Sequence, residues 1–162
     1  MATELKNLSA FNAEQVPSAS GMKFGIVVAE WNTEITDALY QGALKLLTEF
    51  NAEKIEKVTV PGTFELPMGA QFLLEKGQVD AVICIGCVIQ GETKHFDFIC
   101  NACSQGITDL NLKYNKPVIF GVLTPNTLQQ AIDRAGGKHG NKGDEAAITA
   151  IKMVALKNAI LS

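Results

Sequence analysis

AVICIGCVI, residues 81–89, is the longest uninterrupted apolar run in the chain. A strand with one face in water alternates apolar and polar side chains, so a run apolar on both faces describes a strand with helices packed above and below it, as in the middle of a parallel sheet. It falls far short of the ~20 residues that cross a bilayer. Beyond it, Phe96, Ile99, Cys103, Ile107 and Leu110 recur at helical spacing. Strand then helix is the unit, and it repeats.

KFGIVVA at 23–29 precedes a helical series at Ile35, Leu39, Leu46 and Phe50. Residues 55–60 read as a second strand, followed by a Pro-Gly-Thr turn and a helix over 64–76, with Pro67 in its first turn and Gly77 just past its end. PVIFGVL at 117–123 is the fourth strand, with its proline at the start, where no interior ladder bond is lost. A short helix over 127–134, a glycine-rich break AGGKHGNKG at 135–143 and a last helix over 144–160 complete the chain. Strands alternating with helices predict an α/β, flavodoxin-like three-layer sandwich: a four-stranded parallel sheet, joined by right-handed crossovers, with helices on both faces. Ligands bind such sheets beyond the carboxyl ends of the strands, which directs attention to 30–32, 61–65, 88–95 and 120–126. A single α/β domain is expected over 23–162, preceded by an N-terminal arm, 1–22, that a neighbouring subunit orders.

The chain has 162 residues and a formal net charge of −3, with no block of lysine or arginine. That balance excludes a surface built for phosphate backbones, so no nucleic acid is expected as partner, and no membrane. The first residues, MATELKNLSAFNAEQVPSAS, lack the apolar core and small-residue cleavage site of a secretion signal, so a cytoplasmic location is expected. In that reducing compartment Cys84, Cys87, Cys100 and Cys103 should be thiols. Their two Cys-x-x-Cys pairs suggest zinc, but residues three apart on a strand face opposite ways, and Cys100 and Cys103 lie well down a helix without the turn chemistry of a zinc knuckle. Core packing is the favoured reading, and no metal is expected.

Between the pairs lies VIQGETKHFDF, the passage from the third strand to the third helix. Gly91 lets the backbone turn, and N–H groups near Glu92 and Thr93, with the positive helix terminus, offer a seat for an anion. His95 follows in the first turn, and an imidazole is a side chain suited to proton transfer; taken alone, a surface histidine at a helix cap explains it as well. Trp31, just after the first strand, is an aromatic plane that can stack on a flat heterocycle or pack under a loop. Glu65 in VPGTFELP can bind a polar substrate or complement a helix dipole. Phe120 reads as core, Arg134 as a cation at a helix end, and Lys142 as part of a flexible connection.

Together, VPGTFELP (60–67), IQGETKHFDF (89–98), PVIFGVLT (117–124) and RAGGKHGNKGDEAA (134–147), in this order and spacing, resemble the 6,7-dimethyl-8-ribityllumazine synthase family. The resemblance runs from about residue 23 to the C-terminus. It implies condensation of 5-amino-6-(D-ribitylamino)uracil with 3,4-dihydroxy-2-butanone 4-phosphate, the penultimate step of riboflavin biosynthesis, with release of phosphate and water and no cofactor. It implies that Trp31, Thr63, Phe64, Glu65, Cys87, Val88, Ile89 and Phe120 hold the pyrimidine and ribityl groups. Glu92, Thr93, Arg134 and Lys142 correspond to the phosphate contacts, and His95 to the catalytic proton-transfer residue, with Phe120, Arg134 and Lys142 supplied by the adjacent subunit. Glu30 stands where several relatives have arginine, and Cys87 where Thr or Ala is common. The family assembly implied is a pentamer, and the uninterrupted 135–143 connection resembles members that form a sixty-subunit icosahedral shell, with riboflavin synthase as a partner it can enclose. Other readings are a flavodoxin-like ligand-binding module, an archaeal-type riboflavin synthase, and a zinc-stabilised structural protein.

Overall fold

The structure is a computed structural model and describes residues 15–161. Four parallel strands, β1 (Lys23–Ala29), β2 (Lys54–Val60), β3 (Ala81–Cys87) and β4 (Val118–Leu123), form one sheet in the order β2-β1-β3-β4. Between them run α1 (Thr33–Glu49), a 3₁₀ turn (Thr63–Glu65) leading into α2 (Leu66–Lys76), and α3 (His95–Tyr114). After β4 come α4 (Leu128–Ile132), β5 (Ala135–Gly137), β6 (Gly140–Asn141) and α5 (Lys142–Leu161). The three-layer parallel α/β architecture is the one the sequence pattern implies.

The pleat divides the core in two. Phe24, Ile26 and Val28 of β1 and Ile83, Ile85 and Cys87 of β3 face α1 and α5, where Leu39, Leu47 and Ile151 meet them. Val27, Ala29, Val82 and Cys84 face α2 and α3, against Leu66, Leu73, Cys103 and Ile107. Every residue of β3 is buried, as a run apolar on both faces requires. The helix ends follow local chemistry: Gly77 closes α2 with φ 73, and the Thr127 hydroxyl accepts from the Gln130 N–H to start α4.

Helices α1 and α5 approach closely enough to demand glycine. A Cβ on Gly143 would lie 1.9 Å from the Leu39 carbonyl oxygen, and one on Gly42 would lie 2.4 Å from Asp144 Oδ1.

Two segments differ in detail from the sequence pattern. The break at 135–143 is a small antiparallel hairpin of β5 and β6, with Gly136 at φ 111 and Gly140 at φ 72. Of the expected N-terminal arm, residues 1–14 lie outside the described residues. Val16, Ala19 and Met22 are buried on this subunit's own core, tied by Ala19 N–H to the Phe50 carbonyl at 2.7 Å. Among the described residues no helix is long and apolar enough to cross a membrane.

Candidate functional site

From β1 the chain crosses to β2 on one side and returns to β3 on the other, so the direction of winding reverses between β1 and β3. At such a reversal the connections leave in opposite directions, and a crevice opens beyond the strand ends. There the structure has a cleft of about 840 Å³, lined from the ends of β1, β2 and β3 and the first turns of α3.

Each wall has a local reason. After β1, Glu30 N–H donates to the Val60 carbonyl at 2.9 Å and Trp31 N–H to Pro61 at 3.2 Å, carrying the chain along β2 past the sheet. Asn32 then turns it with left-handed backbone, φ 59 and ψ 47, a conformation asparagine tolerates better than most residues. Trp31 is thereby left 73% exposed on the cleft, which sets aside packing under a loop. After β2, the 3₁₀ turn presents Phe64 and Glu65 outward and Thr63 inward. The Thr63 hydroxyl is buried and has no hydrogen-bond partner among the described residues, although its residue lines the cleft. An unsatisfied buried hydroxyl costs stability, of order 1–3 kcal/mol.

β3 ends at Cys87, and its line is prolonged by Val88 N–H to the Leu123 carbonyl at 2.9 Å and Gln90 N–H to Pro125 at 3.0 Å. Cys87, Val88 and Ile89 form the cleft floor. The turn at Gly91 brings in Thr93, and α3 opens at His95, whose N–H reaches the Thr93 hydroxyl at 3.4 Å. The His95 side chain is exposed on the cleft. The positive end of α3 faces the same space, which favours an anion there.

One cleft thus gathers Trp31, Thr63, Phe64, Glu65, Cys87, Val88, Ile89, Thr93 and His95. Glu92 is exposed on the adjoining turn but does not line it. Phe120, Arg134 and Lys142 lie elsewhere on the subunit. Phe120 is 43% exposed on edge strand β4, not core. Arg134 donates through Nη1 to the Gln130 carbonyl at 3.0 Å, and Lys142 Nζ pairs with Glu145 at 2.5 Å. Among the described residues of the single subunit, no lysine or arginine lines the cleft.

The cysteines divide between cores. Cys84 and Cys103 sit in the α2/α3 layer and Cys87 in the α1/α5 layer, while Cys100 is half-buried on α3. Burial raises the Cys87 thiol to about 11 and Cys103 to about 12, and pushes Cys84 up as well, so these are protonated packing groups. Among the described residues no three His, Cys, Asp or Glu side chains converge to hold a metal.

Three contributors to the cleft, Phe96, Phe98 and Ile99, lie outside the strand-end segments that the sequence pattern marks, and Asn32 lies inside one of them without a role assigned to it. Phe96 and Ile99 carry the period of a core stripe, yet both are only half-buried and line the cleft. For Asn32 the available signal is an asparagine between a strand and a helix, a place suited to left-handed backbone.

A family model described as 6,7-dimethyl-8-ribityllumazine synthase matches residues 21–158. A protein of that name from Cytophaga hutchinsonii is 64% identical over 157 residues, covering 96% of this chain and 98% of the relative. Those from Flavobacterium johnsoniae and Parabacteroides distasonis are 57% and 55% identical, covering 97% and 95% of this chain and 84% and 98% of theirs.

Proposed function

The chain belongs to the 6,7-dimethyl-8-ribityllumazine synthase family, and from that premise we propose that the cleft between the ends of β1 and β3 is its active site. The enzyme condenses 5-amino-6-(D-ribitylamino)uracil with 3,4-dihydroxy-2-butanone 4-phosphate to 6,7-dimethyl-8-ribityllumazine, a step of riboflavin biosynthesis. Relatives of that name over nearly the whole chain do not favour a bare ligand-binding module or an archaeal-type riboflavin synthase.

The observation that carries the assignment is the meeting of Trp31 and His95 in one cleft with an unpaired Thr63 hydroxyl between strand ends. Trp31 offers its face to the pyrimidine, while Thr63, Phe64, Glu65, Cys87, Val88 and Ile89 bound the heterocycle and its ribityl chain. The phosphate sits at the α3 terminus beside Glu92 and Thr93. The 5-amino group adds to the ketone and water leaves to give an imine. Phosphate is then eliminated to leave an enol, which tautomerises to a ketone on the carbon next to the imine; the ribityl-bearing nitrogen closes the ring on that new carbonyl, and a second water departs. Each step is an addition or elimination with proton transfer, and His95 at the mouth of α3 is placed to move those protons. No electron changes hands, so the sequence of steps calls for no redox cofactor.

A dianionic phosphate held by the cleft residues of one subunit would have no cationic side chain beside it, which supports a site completed by a neighbour. Arg134 and Lys142 supply the charge and Phe120 the facing aromatic wall in a homo-oligomer, a pentamer and, with the short 135–143 hairpin, a sixty-subunit icosahedral shell. We place the assembly in the cytoplasm with riboflavin synthase as its enclosed partner. Mixing the two substrates with the purified protein and following lumazine absorbance and fluorescence tests the activity. Native mass measurement tests the assembly.

A further inference from the structure

The hydrogen-bonded ladder between β1 and β3 stops at the pair Val28 and Ile85. β3 then stays with β4 as far as Cys87, whereas the chain after β1 leans toward β2. Separation of these two strand ends is what opens the cleft, and one side chain spans the gap: Asn32 Nδ2 donates to the Cys87 carbonyl oxygen at 2.8 Å. This is not the usual work of an asparagine in its position. Asn32 is the N-cap of α1, where an asparagine side chain ordinarily turns back to accept from the first helical N–H groups, and here it makes no such bond.

Trp31, directly before it, is held on the β2 side by its own N–H to Pro61. On the β3 side its loop is held by the Asn32 amide. Two anchors on opposite sides define where the indole stands relative to the Cys87–Val88 backbone, and a flat heterocycle must fit between those surfaces. Loss of one anchor frees the loop, and ordering it again on binding costs affinity for whatever is stacked there.

We propose that Asn32 is a positioning residue for the pyrimidine half of the reaction, its amide setting the spacing between Trp31 and the end of β3. The inference rests on the stacking role of Trp31 in the proposed function. Asn32→Gly keeps the left-handed backbone and deletes the amide. Asn32→Asp keeps size and helix-capping capacity and turns an oxygen toward the Cys87 carbonyl in place of the N–H donor.

The experiment measures KM for each substrate, with kcat and thermal midpoint, for both variants in the parent and Trp31→Ala backgrounds. Removing a hydrogen bond from a partly buried carbonyl should raise KM for the pyrimidine about 5- to 30-fold in both variants. KM for the butanone phosphate should stay within about twofold, and the pyrimidine effect should shrink to about twofold once Trp31 is gone, because the two residues act as one unit. An unchanged pyrimidine KM, an equal rise for both substrates, or the full effect surviving without Trp31 overturns the proposal. Trp31→Ala alone distinguishes failure of the stacking role from failure of the positioning role. If it leaves the pyrimidine KM unchanged, stacking falls and positioning with it; if it raises KM and Asn32→Gly does not, only positioning falls.

Discussion

The backbone N–H of Lys142 donates to the carbonyl oxygen of Arg134 at 2.9 Å, joining the two cationic residues across the base of the β5–β6 hairpin. His139 N–H to the Asp133 carbonyl at 2.8 Å and the Lys138–Asp133 ion pair at 3.4 Å fasten the hairpin tip to the end of α4. A glycine-rich segment that reads as flexible is therefore a fixed platform for two charges, away from this subunit's own cleft.

Arg134→Ala should raise KM for the butanone phosphate about 10- to 100-fold, the loss expected for a charge-assisted hydrogen bond to phosphate, and leave KM for the pyrimidine nearly unchanged. Steady-state kinetics with each substrate varied in turn decides it. An unaltered phosphate-substrate KM removes Arg134 from the site.

His95→Ala should lower turnover by roughly 10²-fold and leave it measurable, since holding two reactants together accounts for more of the rate than proton transfer does. Single-turnover formation of lumazine is the appropriate reading. A variant that folds, binds both substrates and shows no product at all contradicts this division of labour.

Gly143→Ala should destabilise the fold by about 1–3 kcal/mol, because the added methyl meets backbone at the α1–α5 contact rather than a side chain that can rotate away. The urea midpoint at fixed protein concentration reports it. A midpoint equal to that of the parent would mean the two helices separate at no cost.

The buried thiols predict a pH dependence. Their ordinary value is 9.0, and burial raises Cys87 to about 11 and Cys103 to about 12. The folded chain then retains protons that the unfolded chain releases above pH 9, so the thiols' contribution to stability is whole below that pH and is lost as pH climbs toward 11 and 12. The urea midpoint should fall over this interval, and less steeply for Cys87→Ala. A slope unaffected by that substitution would refute the assignment.

Much of the architecture was legible in the linear pattern. Burial on both faces removes polar alternation, so 81–87 announces a central strand, and Gly77 and Pro67 mark the ends of α2 through their own backbone preferences. The strand ends, and with them Trp31, Thr63, Phe64, Glu65, Val88, Ile89 and His95, could be marked as candidates because parallel sheets place ligands there, whereas Cys87 read as core and entered the site only through the family resemblance. Phe120 shows the limit: an apolar residue in a strand reads as core, but β4 is an edge and leaves it partly in solvent.

Local side-chain chemistry and periodicity thus settled which segments are strands and helices, because each depends on neighbours a few residues away. Folding in three dimensions settled that β3 returns beside β1, that Asn32 reaches Cys87, that Phe96 and Ile99 line a cleft instead of a core, and that Arg134 and Lys142 stand apart from it. Those relations join residues far apart in the chain, and periodicity can report that a side chain is covered but not which distant segment covers it.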